Sequence, residues 1–88
     1  MNNQKIKSLL KTELNLTETY VTGDNNHIKI IVIGDIFIGM SEVQRQKIVY
    51  TPLMKMITKQ HIHAISIFSY TCKEWKKHNK HNNNSDNI

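Results

Sequence analysis

The sequence predicts an α+β domain of six elements, α-β-β-α-β-α. They fold as a two-layer sandwich, a three-stranded sheet with helices on one face. Three observations predict it. Apolar residues recur at helical spacing near the start of the chain. A polar turn, Gly23-Asp24-Asn25-Asn26, separates two runs rich in β-branched residues. Two capping boxes, Ser41 with Gln44 and Thr71 with Glu74, bracket a third such run.

The first element is an amphipathic helix. Ile6, Leu9, Leu10 and Leu14 lie at its spacing, with Lys5, Lys7, Lys11 and Glu13 between them. It stops near Asn15. Thr17 to Thr22, with Tyr20 and Val21, suits a strand, and His27 to Ile33 suits its antiparallel partner. The unbroken run Ile30 to Ile33 predicts a strand covered on part of both faces. Ser41 caps a helix starting at Glu42. Pro52 lacks a backbone N–H, so a break is expected near Tyr50-Thr51, followed by a second helical piece from Pro52 to Lys59. Ile62 to Tyr70 is the third strand, with His63, Ile65, Ile67 and Ser69 on one side. Thr71 caps a short last helix bearing Trp75. Phe37, Trp75 and Tyr20 are read as core residues. Residues 1–78 form the domain, and 79–88 read as a disordered Asn-rich tail.

Composition narrows the class. Eighty-eight residues suffice for one small domain. No apolar run approaches the ~20 residues of a membrane span, and no secretory signal is visible, so the chain reads as cytoplasmic. A single cysteine, Cys72, excludes an internal disulfide. The net charge is +5, but 11 of the 12 basic residues are lysines in a chain also rich in Asn and Ile. Such a bias raises the pI without any nucleic-acid partner.

The order of elements resembles the BolA family, and more closely its IbaG-type branch. The likeness runs from Lys5 to Trp75. It is carried by Val21-Thr22-Gly23-Asp24-Asn25-Asn26-His27, Phe37-Ile38-Gly39-Met40-Ser41, Arg45-Gln46, Val49-Tyr50, Pro52-Leu53, Ile62-His63-Ala64-Ile65-Ser66-Ile67, Tyr70-Thr71 and Glu74-Trp75. The resemblance implies a class II KH-like fold. It also implies an adaptor, monomeric alone, that pairs with a monothiol glutaredoxin and shares a bridging [2Fe–2S] cluster with it and glutathione. The strand-entry histidine of the family matches His63, a cluster ligand. The family's second ligand comes from the first hairpin loop. His27 is the histidine available there, although loop cysteines of the family fall nearer Asp24.

The chemistry of this reading is constrained by ligand count. A [2Fe–2S] cluster takes four ligands, and this chain offers one or two. The others must come from a partner. A neutral imidazole in place of a thiolate lowers the negative charge of the site and raises its potential. The ring must be deprotonated to ligate, so acid weakens such a complex. His63 could equally be a hydrogen-bonded strand histidine, and His61 and His63 at i, i+2 could share one side. Arg45, the only arginine, suits a two-point grip on a carboxylate from glutathione or a partner. Cys72 follows a helix cap, where a thiolate is stabilised. No nucleophile–base pair is placed by a motif, so the chain reads as a non-enzyme. The alternative is a DNA-binding regulator using the KH-like fold, with Lys55 and Lys59 on phosphates; Gly39-Met40-Ser41-Glu42 lacks the second glycine of the KH loop.

Overall fold

The computed structural model describes residues 3–24, 26–57 and 64–86. Helix α1 spans Asn3–Leu14 and buries Ile6, Leu10 and Leu14. Asn15 ends it with φ +51°, and the Leu16 N–H reaches back to the Lys11 carbonyl at 3.2 Å. That bond closes a Schellman cap, and Leu16 seals it from the apolar side.

Strand β1 (Glu18–Gly23) pairs antiparallel with β2 (Ile28–Ile33), as the turn predicts. Strand β3 (Ile65–Tyr70) lies on the other side of β2 and runs parallel to it. A parallel neighbour needs a long crossover. The turn of 3-10 helix at Asp35–Phe37 and helix α2 (Glu42–Ile57) supply it. The expected start of β3 at Ile62 and His63 lies outside the described residues.

Helix α2 begins as its capping box dictates. The Gln44 N–H donates to Ser41 Oγ at 3.2 Å, and Gln44 Oε1 accepts from the Ser41 N–H at 3.0 Å. It does not break at Tyr50-Thr51, contrary to expectation: one helix continues through Pro52. Two forces oppose the break. Val49 and Leu53, one turn apart, are both buried in the core, and ending the helix between them would withdraw one. Thr51 Oγ1 donates to the Lys47 carbonyl at 2.8 Å, supplying a hydrogen bond where the ladder is weakened.

The core lies between the sheet and the α1–α2 layer. Ile28, Ile30 and Val32 of β2 meet Ile6, Leu10, Val49, Leu53 and Phe37 there. On β1 and β3 the residues turned the same way include Thr19 and Ser69, both buried. Tyr20 therefore points to the opposite face and is 42 % exposed rather than in the core. Helix α3 (Cys72–Asp86) leaves the end of β3 and lays Trp75 against that face, 5.2 Å from Tyr70 and 5.9 Å from Tyr20 between ring centres. Trp75 is half-buried. The helix is longer than the short element expected, and residues 79–86, read from sequence as a disordered tail, continue it. Polar composition argued for disorder, but no Gly or Pro follows Cys72, and extending an existing helix costs little once its first turn is held. No helix among the described residues is long and apolar enough to cross a membrane.

The uninterrupted α2 carries a proline at a cost. Pro52→Ala restores a backbone donor and relieves a ring clash, so it should raise unfolding stability by about 1–3 kcal/mol. Urea denaturation of the two proteins measures the difference.

Candidate functional site

The first hairpin ends in a tightly bonded tip. Gly23 has φ +101°, and a Cβ there would collide with the His27 carbonyl oxygen. Only glycine fits both constraints. The Asp24 N–H donates to that carbonyl at 3.2 Å. Asp24 Oδ1 accepts from the Asn26 N–H at 2.9 Å and from the His27 N–H at 3.4 Å. This Asx arrangement sets His27 at the mouth of β2 with its ring exposed.

The ring is not left loose. Its Nε2 lies 2.7 Å from Ser66 Oγ on β3. Just beyond, the Ile28 N–H donates to the Ala64 carbonyl at 3.0 Å. The hairpin tip and the approach to β3 thus meet at one end of the sheet. His63 precedes Ala64 in the sequence but lies outside the described residues, as do His61 and Lys59. Lys55 falls on the last turn of α2.

An imidazole with one nitrogen bonded to a hydroxyl keeps the other for a proton or a metal. Among the described residues, no three of His, Cys, Asp and Glu gather closely enough to hold a metal ion. The donor set here is partial.

Arg45 has a different role from the one expected. It is 8 % exposed. Its Nη1 donates to Glu74 Oε1 at 2.7 Å and to the Ser69 carbonyl at 3.3 Å; its Nη2 donates to Glu74 Oε2 at 3.3 Å, and its Nε to the Met40 carbonyl at 3.2 Å. The carboxylate expected from glutathione or a partner is supplied within the chain. Arg45 also sits at the Ser69 end of β3, whereas His27 sits at the Ser66 end. Glu74 closes the second capping box as well: its Oε1 accepts from the Thr71 N–H at 2.8 Å, and its own N–H donates to Thr71 Oγ1 at 3.1 Å. The capping role was visible in the sequence. The ion pair, between residues 29 apart, was not. Ser66 carried no sequence signal of a role at His27.

Cys72 begins α3 and is half-buried, its Sγ 3.4 Å from Thr17 Oγ1. Gly39 has φ +79° with open space where a Cβ would stand, so it serves backbone shape and not close approach.

Comparison with known proteins follows the same lines. The family model described as "BolA-like protein" matches residues 4–74. The chain is 58 % identical over 80 residues to an uncharacterized protein of Buchnera aphidicola subsp. Acyrthosiphon pisum, covering 91 % of this chain and 100 % of that one. It is 45 % identical over 82 residues to the acid stress protein IbaG of Escherichia coli K12, covering 93 % and 98 %. Among solved structures it is similar to BolA1 from Arabidopsis thaliana, with TM-score 0.74, 27 % identity and coverage of 84 % and 96 %. It is similar also to a bolA protein homologue from Coxiella burnetii, with TM-score 0.71, 27 % identity and coverage of 86 % and 97 %.

The Arg45–Glu74 pair makes a prediction about acid. The Arg45 guanidinium first, and the Thr71 N–H second, hold the Glu74 carboxyl below its ordinary value of 4.5, against the opposing effect of burial. The bond to Glu74 pushes Arg45 up in turn. A lowered carboxyl contributes its full stability above the unfolded value and loses it as pH falls through the lower folded value. Glu74→Gln should cost about 1–2 kcal/mol at neutral pH, the scale of a charged hydrogen bond partly screened by solvent. Urea midpoints for the two proteins should converge as the pH is taken below 4.5.

Proposed function

Because this chain belongs to the BolA family and to its IbaG-like branch, we propose that it is a non-enzymatic adaptor that shares a bridging [2Fe–2S] cluster with a monothiol glutaredoxin and glutathione. The observation that supports this reading most is the meeting of two chain segments at one sheet end. The residue after His27 is hydrogen-bonded to the residue after His63. The two histidines are 36 positions apart in sequence, yet each stands one residue from that bond.

The donor set fits a shared cluster and not a private one. Four ligands are needed, and the described residues bring no three donors together. When bound, the cluster would supply transferable iron and sulfide and a one-electron couple. The chain's own part is to present imidazole nitrogen at an exposed edge. His27 offers its ring from a tip stiffened by Gly23 and the Asp24 side chain. In a ligating tautomer its Nε2–H would donate to Ser66 Oγ, and Nδ1 would keep the lone pair for a metal. His63 supplies the second nitrogen in this reading. Arg45 takes no direct part, since its guanidinium already serves the fold. The acid stress of the E. coli relative's name fits a site built on imidazole, because protonation removes the ligand.

The test is reconstitution. The purified chain with a monothiol glutaredoxin, glutathione, iron and sulfide should develop the visible circular dichroism of a mixed-ligand cluster. His63→Ala should change that spectrum. His27→Ala should change it separately if both rings ligate. A spectrum untouched by either substitution, or no spectrum at all in the presence of the partner, rejects the reading.

A further inference from the structure

Helix α2 carries apolar residues both toward the core and on its exposed surface. The inner side sends Val49 and Leu53 into the core. The outer side carries Val43, Lys47, Tyr50 and Met54. Their spacing of i, i+4, i+7 and i+11 gathers them into an arc of about 60°. Val43 is 64 % exposed, Tyr50 41 % and Met54 53 %. Ile36 and Ile38, in the turn that leads into α2, are 42 % and 65 % exposed. Five of the seven large hydrophobic residues left exposed among the described residues therefore fall between positions 36 and 54. A helix that lies on a core normally turns a polar face to water, and a cluster of large apolar side chains left there marks an interaction surface.

We propose that the outer face of α2 docks an amphipathic helix of another protein, one that carries a carboxylate in the middle of its apolar side. The shape argues for a helix. The stripe is straight and about 16 Å long, three turns, and a helix laid along it presents anchors at matching intervals. Charge decides what kind of helix. Lys47 is the one charged member of the stripe, exposed at its middle, and forms no salt bridge among the described residues. A second copy of this chain would bring Lys47 against its twin across the symmetry axis, and such like-charge juxtaposition costs several kcal/mol. An Asp or Glu at that point reverses the sign. The chain's net charge of +5 steers the same class of partner. Nucleic acid would use Lys47 but leave Val43, Met54 and Ile38 unserved. This surface is independent of the cluster reading, since neither His27 nor His63 belongs to it.

The test uses the full chain, isotopically labelled for NMR, and two synthetic helical peptides of about 16 residues. Both have a leucine-lined face, and they differ only at its centre, Glu in one and Lys in the other. The Glu peptide should shift the signals of Val43, Lys47, Tyr50 and Met54 and bind about tenfold more tightly than the Lys peptide. Lys47→Glu, an exposed substitution that leaves the core intact, should invert that preference. Equal affinity for the two peptides, shifts centred on Tyr20 and Phe68, or self-association of the chain through this face in sedimentation would overturn the proposal.

Discussion

Arg45 places its guanidinium where α2, the end of β3 and the start of α3 converge. It bonds two backbone carbonyls, of Met40 and Ser69, and both oxygens of Glu74. Its charge also lies 5.9 Å from the ring centre of Phe37, at the bottom of the core. A buried cation with nothing to bond would be intolerable, so the position of Glu74 is not free to vary. Glu74 is held in turn by Thr71, which starts α3. Through this chain of bonds the direction of α3 is fixed relative to the sheet, and Trp75 is carried onto the face that α1 and α2 leave open. An ion pair of this kind adds little net energy. Its value is geometric, as the hub of a contact set that a misplaced α3 could not satisfy.

The same parallel pair of strands has two chemically different ends. At one end the Arg45 guanidinium is fully engaged by two backbone carbonyls and Glu74. At the other, separated by about 10 Å of strand, His27 is exposed, and among the described residues its ring is held by Ser66. A residue already committed on all sides serves stability. One held on a single nitrogen remains available to something outside the molecule. That contrast separates Arg45 from His27 more sharply than residue type does, since both are nitrogen-bearing side chains suited to polar partners.

This fold exposes more than one chemically distinct surface. The sheet end carries His27. The outer side of α2 carries an apolar stripe around Lys47. The open sheet face carries Tyr20, Phe68 with Lys29 above its ring, and the Trp75 cluster. The α1–α2 layer, with Pro52 inside α2, is where the chain gave up local helical stability to keep Val49 and Leu53 together in the core.

Features set by neighbours in the chain are legible without the fold. Gly23 and Asp24 write the hairpin tip, Asn15 ends α1, and Ser41 and Thr71 start their helices, because each acts through bonds spanning a few residues. The α+β class follows from those signals and from periodicity. The parallel sense of β3, the passage of α2 through Pro52, the exposure of Tyr20 and the Arg45–Glu74 pair came only with assembly. So did the bond from His27 to Ser66, across 39 positions of sequence. Each of these is settled by packing or pairing between segments that are distant along the chain, and no local pattern encodes which distant group will arrive.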